Sequence, residues 1–212
     1  MVIARLLAAG LTAVLCCTAG TAVACQKHTA PIFQDDFKNP DPGWGQPDNV
    51  AAFTKEGLVL TPPAGGSAWR SNANLSMTQG DWCIKVVSPA NLPTPADEDA
   101  VGSVGVWFWG QDLQNFYTAT ITLDGNAEID RLNHGIWQAV VTPKAAPSVK
   151  TAPGDINEIE IVTSGDRAAF YVNGAPVATV TGRPPPNGGP AGVYAESGPK
   201  GTRWVIPLVA LY

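Results

Sequence analysis

Histidine and methionine each occur only twice in this chain of 212 residues, cysteine four times, and charged side chains make up 15%. His28 and His134 stand far apart, so neither a zinc site nor a Ser/His/Asp arrangement is expected. Basic residues are also in short supply. With 13 of them against 18 acidic residues the formal net charge is −5, which argues against nucleic acid and anionic membrane surfaces as partners. The apolar run at residues 6–18 is too short to span a bilayer, so the protein is not expected to be transmembrane. Beyond the N-terminus no 3.6-residue periodicity is sustained, and there is no fixed-period repeat, no phosphate-cradling glycine loop and no linker between domains.

What is plentiful is glycine, with 22 residues, and proline, with 19. That composition suits many short strands joined by tight turns, and 212 residues are enough for one well-buried all-β core. Residues 1–24 read as a signal peptide: Arg5 supplies the positive region, residues 6–18 the apolar one, and Ala22-Val23-Ala24 the small-residue cleavage site. The mature domain is then 25–212, exported to the periplasm or the extracellular space. Cys16 and Cys17 leave with the leader. Cys25 and Cys83 remain as an even pair in an oxidising compartment and are expected to form a disulfide. A second reading takes Ala22-Val23-Ala24-Cys25 as a lipobox, with a lipid anchor on Cys25.

Strand-type runs recur from residue 31 to the C-terminus, and they crowd most closely in residues 101–141. Alternation in 103–109 puts Val104, Val106 and Phe108 on one face, and Gly105, Trp107 and Trp109 on the other. A loop at 110–115 would pair Trp109 with Phe116, Phe108 with Tyr117, Val106 with Ala119 and Val104 with Ile121, leaving one face wholly apolar. For the next turn, a two-residue loop at Asp124-Gly125 would bury Glu128 opposite Ile121. A three-residue loop at Asp124-Gly125-Asn126 instead pairs Ile129 with Ile121 and sends Glu128 and Asp130 to the tryptophan and threonine face, so it is preferred. Arg131 then lies on the apolar face and needs a carboxylate or carbonyl partner. Asn173-Gly174 signals a type I′ hairpin.

Several segments carry a resemblance: DDF at 35–37 with PGWG at 42–45, GLVL at 57–60, NFYTATITLDG at 115–125, RLNHGIWQ at 131–138, the run 157–174, and AGVYAES at 191–197. Over nearly the whole mature length these resemble the concanavalin A-like, laminin-G-like jelly rolls, and among them the 3-keto-disaccharide hydrolase domain family. The resemblance implies an all-β jelly-roll sandwich of two antiparallel sheets. It implies no single activity, because such families mix enzymes with binding modules.

Two groups of residues could carry function. Trp107, Trp109 and Phe116 offer apolar rings for stacking on sugars, next to threonines and acids that hydrogen-bond hydroxyls; the same rings could equally form a covered packing layer. Glu128 and Asp130 share a strand face, about 7 Å apart. They resemble the carboxylate motif of laminarinase-like glycoside hydrolases, but the third acid is absent from the positions that follow. Asp35-Asp36 read as a solvated strand end rather than a cation site, and Asp97-Glu98-Asp99 as solvated loop acids. No cofactor and no dedicated metal site is expected, although loop oxygens could hold calcium. The reading is an exported, non-catalytic protein that binds carbohydrate through Trp107, Trp109, Phe116, Glu128 and Asp130. A hydrolase or lyase of the 3-keto-disaccharide type and an envelope protein-interaction domain are the alternatives.

Overall fold

A computed structural model describes Cys25, residues 30–90 and residues 102–212. The expected leader, His28 and the Asp97-Glu98-Asp99 cluster lie outside the described residues.

Fourteen strands form two antiparallel sheets. They are β1 (Phe33–Asp35), β2 (Ala51–Thr54), β3 (Gly57–Leu60), β4 (Ser67–Ser71), β5 (Gly80–Val87), β6 (Ser103–Asp112), β7 (Asn115–Thr122), β8 (Asn126–Asn133), β9 (Ile136–Ala145), β10 (Ile156–Ser164), β11 (Arg167–Val172), β12 (Ala175–Thr181), β13 (Gly192–Glu196) and β14 (Trp204–Leu211). One sheet runs β12-β11-β10-β5-β14-β3-β2, with β1 also paired to β14; the other runs β4-β13-β6-β7-β8-β9. Most neighbours in the second sheet are consecutive hairpins. The pairing of β13 with β6 joins residues about ninety positions apart, and it decides what the site contains.

The two sheets enclose one continuous apolar cluster, to which Trp82, Ile84, Val104, Val106, Phe108, Ile159, Phe170 and Trp204 contribute almost completely buried side chains. Each such burial stabilises the fold by roughly 1.5–3 kcal/mol relative to exposure. The alternation expected in β6 holds there: Val104, Val106 and Phe108 point inward, opposite Ile121, Ala119 and Tyr117. No helix among the described residues is long and apolar enough to cross a membrane.

Cys25 and Cys83 form the expected disulfide, buried beneath the chain end, where the Tyr212 hydroxyl donates to the Cys25 carbonyl over 2.6 Å. A thioether-linked lipid would need the sulfur that this bond occupies. Asp35 is not solvated. Its carboxylate is buried and accepts from the Phe37 amide (2.7 Å), the Asp41 amide (2.7 Å) and the Trp44 indole (2.9 Å), tying β1 to the Pro42–Trp44 turn. Asn173 and Gly174 both have positive φ, 51° and 78°, between the paired Val172 and Ala175, which is the type I′ hairpin read from the sequence.

Three local expectations need correction. The β6–β7 connection is tighter than a six-residue loop, because β6 continues to Asp112 and pairs with Asn115. The register slips between Phe108 and Asp112, and Trp109 adopts φ 48°, so Trp109 does not face Phe116. A bulge of this kind turns a side chain to the other face of its strand. The β7–β8 loop does have three residues, but they are Leu123, Asp124 and Gly125. The Gly125 amide bonds the Thr122 carbonyl (3.1 Å) with φ 86° at Gly125, the left-handed position that closes such a loop. Ile121 therefore pairs with Ala127, and Ile129 with Ala119, two places from the expected register. A shift of two preserves the faces, so Glu128 and Asp130 still point outward. Finally, among the described residues Arg131 meets neither a carboxylate nor a carbonyl: its guanidinium sits 5.4 Å from the centre of the Tyr117 ring.

Candidate functional site

The outer face of the six-stranded sheet holds an open cleft of about 280 Å³. Four neighbouring strands supply its walls: Tyr194 and Glu196 from β13, Ser103 from β6, Thr118 and Thr120 from β7, and Glu128 and Asp130 from β8. Trp137 of β9 closes one end. Registry explains the assembly. Gly105 lies between Tyr194 and Thr120, which in turn pairs with Glu128, so one row crosses the sheet from β13 to β8. A Cβ on Gly105 would collide with the Ala119 carbonyl, so only glycine allows β6 and β7 to approach this closely.

The expected residues separate in space. Glu128 and Asp130 line the cleft together. Trp107 and Phe116 lie beside it as a buried layer with Leu132 and Tyr194, only 4% and 8% exposed. Trp109 belongs to the core, where its ring packs edge-on against Tyr117 at 5.3 Å and beside Phe108, so the structure does not place it on the ligand face. The accessible aromatic is Trp137, 46% exposed, whose ring stands edge-on over Phe116 at 5.5 Å and against Tyr194 at 6.0 Å. Trp69 of β4, paired with Tyr194, is also exposed.

Sequence reasoning missed Tyr194, Glu196 and Trp137. Alternation along AGVYAES does put Tyr194 and Glu196 on one face, but nothing in a sequence read alone brings β13 beside β6. A third carboxylate of the cleft, Glu196, comes from this distant strand.

The Tyr194 hydroxyl donates to Glu196 Oε1 (2.5 Å) and Ser103 Oγ donates to Oε2 (3.3 Å), so Glu196 is fixed by two donors. Thr120 Oγ1 donates to Glu128 Oε1 (3.3 Å). Asp130 has no hydrogen-bond or ion-pair partner among the described residues. Burial, and then the charges of Asp130, Glu196 and Asp124, raise the Glu128 carboxyl to about 7 against the Thr120 hydrogen bond, which lowers it. Burial followed by the Glu196 charge raises Asp130 to about 6. The Tyr194 phenol is pushed up by burial and by its contact with Glu196. Near neutral pH Glu128 is therefore part protonated beside a largely ionised Asp130. Such a set can donate to and accept from hydroxyls, and can move a proton. Among the described residues no three His, Cys, Asp or Glu side chains are arranged to hold a metal ion.

No protein-family model matches the chain, and no curated protein matches it by sequence. Solved structures do match by fold. A Bacillus licheniformis beta-glucanase is 14% identical with a TM-score of 0.59, the alignment covering 87% of this chain and 99% of that one. A Bacteroides ovatus mixed-linkage-glucan GH16 protein in complex with a G4G4G3G product is 11% identical with a TM-score of 0.58, covering 85% and 99%. A carbohydrate-binding module, CBM66, from Bacillus subtilis is 14% identical with a TM-score of 0.55, covering 75% and 88%. The chain shares the concanavalin A-like jelly-roll sandwich with these proteins.

Proposed function

We propose that this protein is an exported carbohydrate-binding jelly roll whose ligand lies in the cleft of the six-stranded sheet, and that it performs no chemistry of its own. The observation that carries the reading is the composition of that cleft: hydroxyls and carboxylates on the floor with the half-exposed Trp137 at one end. A sugar ring presents an apolar face to an indole and hydroxyls to threonine, tyrosine and carboxylate oxygens, and this pairing is met here within one open concavity. The fold shared with a carbohydrate-binding module supports it, and the disulfide accords with export to the periplasm or beyond. Trp137→Ala should abolish retention on a glycan array or lower it about tenfold, a loss typical of one well-placed aromatic. An array blank for the unsubstituted protein would sink the proposal.

One observation favours a second reading, cleavage of a glycosidic bond, including the 3-keto-disaccharide hydrolase type. Glu128, held near 7, could serve as the proton donor while Asp130, held near 6, remains largely ionised. Product release from 3-keto glycosides or mixed-linkage glucan that disappears in Glu128→Gln would establish it over simple binding.

A further inference from the structure

We infer that the ligand of this cleft carries positive charge, and that its class is a glycan with free, protonated amino groups. The inference rests on the carbohydrate reading above and concerns the charge of the sugar.

Three carboxylates, Glu128, Asp130 and Glu196, line one small cleft, and among the described residues no lysine, arginine or histidine lines it with them. The cations of the surrounding strands are engaged elsewhere. Arg131 lies on the opposite face over Tyr117, Lys144 donates to the Val177 carbonyl, and Arg70 pairs with Asp48. The remaining charge facing Glu128 is Asp124 in the β7–β8 loop, also negative. Negative charge gathered in a partly desolvated concavity is costly unless protons or a bound cation relieve it.

A second feature points the same way without depending on charge. Thr118 is 2% exposed and lines the cleft, and its hydroxyl has no hydrogen-bond partner among the described residues. That hydroxyl is open to a group entering the cleft and can donate or accept. Next to it, Asp130 is likewise unpartnered. Thr118 and Asp130 face each other across β7 and β8, so one ammonium or hydroxyl group placed between them could satisfy both. Trp137 and Tyr194, with ring centres 6.0 Å apart, add an aromatic wall that suits the apolar face of a sugar and also attracts cations. A neutral sugar would supply hydroxyls and leave the charge uncompensated. A primary ammonium brings three donors and no acceptor, which suits the unpartnered oxygens of Asp130 and the acceptor lone pairs of Thr118.

The elevated carboxyls agree with this. Desolvation and mutual repulsion hold Glu128 near 7 and Asp130 near 6, and a cation bound between them opposes both effects. Binding near pH 6 should therefore release protons.

The test is calorimetry on the full chain at pH 6, where the amine is protonated, with three β-1,4-linked hexasaccharides that differ at C2: glucosamine, N-acetylglucosamine and glucose. The glucosamine oligomer should bind about tenfold or more tighter than either neutral one, more weakly as salt rises, and with a heat that depends on the buffer because protons leave. Asp130→Asn and Glu196→Gln should each weaken the glucosamine oligomer several-fold more than either neutral one, so that the preference shrinks. Equal or tighter binding of the glucose oligomer, lost in Trp137→Ala, would overturn the amine and leave the carbohydrate reading standing. Failure of all three to bind would overturn both.

Discussion

Tyr194 and Glu196 stand two residues apart on β13, and the phenol donates to the carboxylate over 2.5 Å. Their strand pairs with β6 on one side and β4 on the other, so this bond is made over the floor of the cleft. It fixes the Glu196 carboxylate in the position from which it acts on Glu128 and Asp130.

Tyr194→Phe keeps the ring against Phe116 and Trp137 and removes only the donor. Hydrogen bonds to charged groups contribute about 1.5–3 kcal/mol, less where water reaches one partner, so the variant should lose about 1–2 kcal/mol. A lower urea midpoint with an unchanged slope would show it. An unaltered midpoint would mean that solvent replaces the phenol at no cost.

The pH dependence of stability has a definite sign. Glu128 and Asp130 have folded-state values raised to about 7 and about 6, above the ordinary 4.5 and 3.8, so the folded protein binds protons more tightly than the unfolded chain. Stability contributed by these groups is therefore present in full below pH 4 and is lost as pH rises through 4 to 7. Glu128→Gln, which mimics the neutral acid, should melt close to the unsubstituted protein at pH 4 and above it at pH 8. Thermal unfolding at the two values measures the difference. A gap that is the same at both values would rule out the raised carboxyl.

The disulfide closes a separation of 58 residues, for which chain entropy predicts about 4 kcal/mol. The double variant Cys25→Ala/Cys83→Ala should lose up to that amount in denaturant unfolding. The same experiment on Cys25→Ala alone should give a loss of similar size, because either sulfur is sufficient to break the link. Identical midpoints with and without reductant would show that the bridge does not staple the N-terminus.

Gly125 closes the β7–β8 loop at φ 86° and has open space around it, the nearest atom to an added Cβ being Thr151 Cγ2 at 3.5 Å. Gly125→Ala should therefore cost only the left-handed backbone penalty, about 1–2 kcal/mol. Gly125→Asn should cost less, since asparagine tolerates this conformation. Denaturation midpoints ordered glycine, asparagine, alanine would confirm the loop; equal midpoints would place the turn elsewhere.

Much of this protein was legible locally. Period-two alternation identified the inward face of β6 and β7, the Asn173-Gly174 hairpin followed from its two positive-φ residues, and parity alone sent Glu128 and Asp130 outward. Parity survives a register error of two, which explains why a misplaced loop still gave the correct face. Bulges are not visible in this way. Two extra residues on β6 between Phe108 and Asp112 accompany the turn of Trp109 into the core, because the slip depends on how β6 packs and not on the residues it contains.

What the sequence by itself determined is therefore the sandwich, the paired cysteines and two of the three acids, all of which depend on short-range alternation or on simple counting. Tertiary structure alone decided that β13 lies against β6, that Glu196 and Tyr194 complete the cleft, and that Trp137 rather than Trp109 is the accessible ring. The physical reason is that strand pairing across about ninety residues is selected by the packing of the whole core, and that information is spread over every strand rather than held in any one segment.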